Sequence, residues 1–209
     1  MYYTAKGESN AELTIKHSKF LAFSAHVSDE EQAESFIRGI KKRFSDATHA
    51  PYAYVLGERS DKFRASDDGE PSGTSGIPIL EAIKNSALTF TAVVVVRYFG
   101  GIKLGTGGLA RAYGDAALAC LSCSKRAAFD LCNLFSVSCD YSLISILQTQ
   151  VYVFDGMILS ADYEEGAVLS VAIPSMKKQD FLSAVMDATS GKIVVQELEE
   201  RFCEVKSEG

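Results

Sequence analysis

The run Ala92-Val93-Val94-Val95-Val96 has no polar face and reads as the core of a buried strand over Thr89–Val96. It empties directly into RYFGGIKLGTGGLARAYG, Arg97 to Gly114, eighteen positions that hold six glycines, two arginines, a lysine and three aromatics. A helix pattern opens at Gly107 or Gly108 and runs through Cys123, with Leu109, Ala112, Ala116, Ala119, Cys120 and Cys123 as its apolar stripe. Glycines at such a strand-to-helix passage mean that backbone comes close to something, either an anionic ligand or another piece of the same chain.

The flanking segments extend this into an α/β arrangement. Two short strands are expected within Leu13–Val27, broken near His17-Ser18. Ser28 with Glu31 three positions later reads as a capping box, and Ala33, Phe36, Ile37, Ile40 and Phe44 follow at helical spacing. Lys41, Lys42 and Arg43 fall in the last turn, where cations suit the helix dipole. Strands are expected over Ala50–Leu56 and Phe63–Ala65, then a helix started by Pro78 and carrying Ile79, Leu80, Ile83 and Leu88.

Beyond SKRAAFDLC (Ser124–Cys132), which is no flexible linker, the order changes. Strands over Leu134–Asp140, Met157–Tyr163, Ala167–Ile173 and Lys192–Glu199 enclose helices over Leu143–Phe154 and Lys177–Ala188. A turn is expected at Glu164-Glu165-Gly166, an N-cap at Ser175 and a helix stop at Gly191. This βαββαβ order predicts a ferredoxin-like sandwich, so the fold class is α+β with domains at 1–130 and 131–209. Charge divides similarly: 16 basic against 15 acidic residues in the first part, 5 against 12 in the second. The acidic second part argues against a nucleic-acid footprint there.

No run of eighteen apolar residues and no leader pattern is visible, and five cysteines without a secretory context favour free thiols, so a cytoplasmic chain with no membrane partner is expected. Cys120-x-x-Cys123 lies in a helical stripe, not a turn, and is read as packing rather than metal binding.

Three features carry candidate chemistry. Gly100, Gly101, Gly105, Gly107 and Gly108 supply amides for an anion, with Arg97, Lys103 and Arg111 to neutralise it. The order of a Walker loop is absent, because Lys103 precedes the second glycine cluster. Within DDGEPSGTSG, Asp67, Asp68 and Glu70 are candidates for holding Mg²⁺ or for acting as a base; the alternative is an Asp/Gly turn. His49, among polar residues at a strand edge, is the histidine best placed for acid–base work. Phosphate or another anion is the small ligand these features fit, and the alternative for the arginines is pairing to carboxylates, Arg111 to Asp115.

The acidic motif Asp67–Gly76, followed by IPIL and then VVVVRYFGGIKLGTGGLARAYG, resembles the signature of the YigZ/IMPACT family. Ser18-Lys19-Phe20 and Ala47-Thr48-His49 fit that family's early motifs, so the resemblance covers the whole chain. Pro51 stands where a cysteine is common, and Ser75 where alanine is usual. The resemblance implies a first domain similar to a ribosomal-protein domain fold shared with GHMP kinases, and a second similar to the ferredoxin-like domain of elongation factor G. That likeness to elongation-factor domains, together with Arg97, Lys103, Arg111 and the run Lys41-Lys42-Arg43, favours a non-enzymatic, translation-linked protein that binds RNA, the ribosome or a protein partner in translation. The alternative is an enzyme or sensor of a small phosphorylated ligand.

Overall fold

The computed structural model describes residues 1–164 and 166–205. The chain divides into two compact units, one of residues 2–127, the other running from Ala128 onward together with Met1.

In the first unit, β2 (Glu8–Ile15), β3 (Ser18–His26), β7 (Thr91–Tyr98), β4 (Tyr52–Leu56) and β5 (Lys62–Ser66) form one antiparallel sheet in the order β2-β3-β7-β4-β5. The hairpin between β2 and β3 turns at Lys16 and His17, both at positive φ. A short parallel pair joins β1 (Tyr2–Lys6) to β6 (Leu88–Thr89), so Leu88 lies in a strand and not in the helix expected to carry it. Helix α1 (Glu30–Arg43) covers one sheet face, packing Ala33, Ile37 and Ile40 on Ala92, Val94 and Val96. On the other face α2 (Gly76–Asn85) and α3 (Thr106–Cys123) pack on Val93 and Val95. Because helices lie on both sides of β7, alternation has no polar face to report, and the valine run is its consequence.

The cap of α1 lies one residue later than the capping box expected at Ser28. Asp29 accepts from the Gln32 N–H at 2.8 Å, and the Gln32 side-chain carbonyl accepts from the Ser28 N–H at 3.1 Å. Asp29 thus caps Gln32, Gln32 reaches back one residue past the cap to Ser28, and the Ser28 hydroxyl donates to Asp29. On α3 the buried stripe is Leu109, Ala112, Tyr113, Ala116, Ala117, Cys120 and Leu121, while Cys123 is exposed.

Strand β8 (Lys125–Cys139) begins well before the expected Leu134 and belongs to the second unit from Ala128 on. There it is followed by α4 (Ile144–Val153), β9 (Met157–Asp162), β10 (Ala167–Pro174), α5 (Lys178–Ala188) and β11 (Ile193–Val205). The strands lie in the order β11-β8-β10-β9, all antiparallel. Leu147 and Val151 of α4 and Phe181 and Val185 of α5 share one core with Phe135, Val137, Leu169, Val171 and Ile173, so both helices pack on one sheet face. Ser175 opens a 3-10 turn before α5 and makes no cap; its hydroxyl donates to Glu200 at 2.7 Å. Gly191, at positive φ, donates its N–H to the Met186 carbonyl and ends α5 as expected. Of the turn expected at residues 164–166, Glu165 lies outside the described residues.

Candidate functional site

Strand β7 ends in a lock. The Arg97 N–H donates to the His49 carbonyl at 2.9 Å and the Thr48 N–H to the Arg97 carbonyl at 3.1 Å, which ties the end of β7 to the segment before β4. The Arg97 side chain is 7 % exposed and that of its partner Glu70 is 3 % exposed, with Nη1 and Oε1 2.6 Å apart. The Tyr113 hydroxyl of α3 donates to the same Glu70 oxygen at 2.7 Å. Burial pushes the Tyr113 phenol far above its ordinary pKa; the Glu70 bond and charge add to this and Arg97 opposes it, so the phenol stays a donor. The Arg97 guanidinium lies over the rings of Phe20, at 5.7 Å, and Phe99, at 5.5 Å. Among the described residues nothing accepts from its buried Nε.

The acidic motif divides its carboxylates among three tasks. Asp67 Oδ1 accepts from the Ser75 N–H, the Ser75 hydroxyl and the Gly76 N–H at 3.0, 2.8 and 2.8 Å, and Oδ2 from the Gly73 N–H at 2.8 Å. Burial raises its pKa, but the hydrogen bonds from Gly73, Gly76 and Ser75 outweigh that and hold it below the usual carboxylate value. Asp68, at φ 46°, sends its side chain to Lys41 and to the Ala50 N–H at 2.9 Å. Glu70 belongs to Arg97 and Tyr113. These carboxylates do not converge, and no cluster of three metal-ligating side chains occurs among the described residues.

His49 Nδ1 lies 2.9 Å from the Asp68 carbonyl oxygen. A carbonyl only accepts, so Nδ1 carries the proton, and in the neutral ring Nε2 keeps its lone pair.

The glycines answer to different constraints. A Cβ on Gly100 would sit 2.0 Å from the His17 carbonyl carbon, and its N–H donates to the Ser18 hydroxyl at 3.1 Å. This glycine lets the exit of β7 press on the β2–β3 turn, so the close approach there is to the chain itself. Gly105, at φ 74°, is the N-cap of α3, contributes no side-chain cap, and is followed by a first turn without an acidic residue. Gly101 and Gly107 face open space, and Gly108 meets only the Leu104 side chain within 4 Å.

A cavity of about 390 Å³ opens where these parts meet, lined by His49, Glu70, Arg97, Lys103, Gly105 and, beyond the residues singled out from sequence, Phe99 and Thr106. Lys103 is exposed and makes no ion pair among the described residues. Gly100, Gly101, Gly107, Gly108, Arg111, Asp67 and Asp68 are not in its wall. Arg111 and Asp115 are both exposed and form no ion pair with each other among the described residues. Of the basic run ending α1, Lys41 is held by Asp68 and Arg43 stacks on Phe44 at 5.1 Å. Phe99 could have been found in the sequence: an aromatic between the last strand residue and a Gly-Gly pair occupies no core position.

This cleft lies within residues 16–121, which match the model of the Impact N-terminal domain. The chain belongs to the IMPACT family. It is 36% identical to IMPACT family member YvyE of Bacillus subtilis (strain 168), over 97% of this chain and 94% of that one. It is 34% identical to IMPACT family member YigZ of Escherichia coli (strain K12), over 89% of this chain and 92% of its relative. A crystal structure of a hypothetical protein aligns with a TM-score of 0.60 at 31% identity, covering 95% of this chain and 97% of that one. No helix among the described residues of this IMPACT-family chain is long and apolar enough to cross a membrane.

Proposed function

We propose that this chain is a translation-linked binding protein rather than an enzyme, and that it engages RNA or the ribosome through phosphate received at the cleft of the first unit. The observation that carries the reading is the convergence of Lys103, His49 and the uncapped N-terminus of α3 on one cavity beside Arg97. The N–H groups of a helix start and its dipole favour an anion, and an unpaired lysine adds charge. Binding is favoured over catalysis because Asp67, Asp68 and Glu70 are each committed to donors of the chain itself. The domain folds that the family resemblance implies, similar to those of ribosomal proteins and elongation factor G, would suit a ribosomal partner. The cytoplasm is the matching location.

A second reading, a sensor of a small phosphorylated ligand, is favoured by the meeting of Glu70 from the acidic loop with Lys103 and Gly105 from the glycine loop in the same cavity. Co-sedimentation with ribosomes and RNA binding, measured from low to physiological salt, test the first reading. Binding should weaken with salt and fall with Lys103→Glu, since phosphate contacts release counterions. Folded protein that binds neither RNA nor ribosomes at low salt overturns it.

A further inference from the structure

Resting on the RNA reading above, we propose that the cleft takes one unpaired nucleotide of a single-stranded RNA, with its base stacked on Phe99 and its phosphate at the N-terminus of α3 beside Lys103. Phe99 is 48 % exposed although it directly follows the buried strand β7. Its ring is backed by the Arg97 guanidinium, itself backed by Phe20 and fixed by Glu70. Such a ring is a rigid platform, and every base has a π-face to lay on it.

The phosphate end of the site does not rest on the helix terminus alone. Arg97 also lines the cavity, and its buried Nε has no acceptor among the described residues. A volume of about 390 Å³ lies at the small end of ligand sites, which suits one nucleotide unit better than a dinucleotide. Ile102, 44 % exposed on the same loop, is a further apolar side chain outside the cavity wall. A duplex hides its base faces in its own stack and offers chiefly backbone and shape. The first 130 residues, with 16 basic and 15 acidic groups, provide no wide basic footprint for such a backbone.

The chain contains no tryptophan, so Phe99→Trp introduces a single indole at the platform. Titrating this variant with a dye-labelled single-stranded oligonucleotide at low salt reads binding by anisotropy and stacking by indole quenching. Both signals should share one midpoint, a duplex of equal length should leave the indole unquenched, and Phe99→Ala should weaken binding about tenfold. Phe99→Leu keeps the apolar bulk and should show the same loss. RNA binding without quenching, insensitive to either substitution, overturns this inference and leaves the RNA reading standing. Absence of RNA binding by the unsubstituted chain overturns both. Quenching by mononucleotides with no gain from a longer strand also overturns it, in favour of a small phosphorylated ligand.

Discussion

Replacing Arg97 with methionine tests whether the Glu70–Arg97–Tyr113 cluster holds the first unit together. The substitution keeps an unbranched apolar stem between Phe20 and Phe99 but removes the charge. Glu70, 3 % exposed, is then left with the Tyr113 hydroxyl as its named donor. Removing one partner of a buried pair costs about 3–5 kcal/mol, because the other charge stays desolvated and uncompensated. Set against a net stability of roughly 5–15 kcal/mol, that is a large share. The first unit should melt about 10 °C lower or more. Calorimetry gives the shift, and amide exchange at β7 assigns it to this unit. Tyr113→Phe removes one hydrogen bond to a charged group and should cost about 1.5–3 kcal/mol. The double substitution Arg97→Met with Glu70→Leu removes both charges and should lose about 2 kcal/mol less than the two single losses added together. A loss under about 1 kcal/mol for Arg97→Met, with additive behaviour in the double variant, would refute the argument and make Arg97 a ligand contact held at little structural cost.

Three further outcomes follow from local geometry. The folded-state pKa of Asp67 is depressed, so its contribution is fully present above the ordinary carboxyl value of 3.8 and is lost as pH falls through the lower folded value. Asp67→Asn should therefore lower the melting temperature at pH 7, and the gap to the unsubstituted chain should narrow toward pH 3. Gly100→Ala would place a Cβ 2.0 Å from the His17 carbonyl carbon and should unfold or strongly destabilise the unit, whereas Gly107→Ala, facing open space, should leave the melting temperature within a few degrees. Burial pushes the Cys120 thiol up to about 11, so a thiol-specific reagent at pH 8 should label exposed Cys123 rapidly and Cys120 only on unfolding.

The strand and helix order was largely legible because periodicity reports burial: the valine run of β7 and the Ile37/Ile40 spacing of α1 both appear where the sequence puts them. Boundaries were less so where two adjacent residues offer the same chemistry. Ser28 and Asp29 both cap, and Glu31 and Gln32 both complete a box, so the sequence does not choose between neighbouring registers. Ser175 could cap, but its hydroxyl is drawn to Glu200, a residue distant in sequence. The acidic motif admits two readings, a ligand set and an Asp/Gly turn whose carboxylate accepts local N–H bonds. Asp67 makes the bonds of the turn, and a positive φ at Asp68 helps send the other side chains in different directions. The partners of Asp68 and Glu70, from Lys41 to Tyr113, lie far along the chain, while those of Asp67 are the nearby Gly73, Ser75 and Gly76.

The glycines show why such a loop is ambiguous from residues alone. A ligand and a neighbouring backbone both require the absence of a Cβ, and the sequence records only that absence. Gly100 answers to the β2–β3 turn and Gly105 to the start of α3, so one signature serves two purposes. The division also bears on how the cleft attracts an anion. Glu70 neutralises Arg97 inside the fold, so the charge of the motif arginine is largely spent on architecture. What remains at the surface is Lys103, a helix start and a half-exposed aromatic ring. Phosphate alone should consequently bind weakly there, and a ligand that also offers a flat apolar face should bind better, which is the reason to probe the site with nucleotides rather than with inorganic anions.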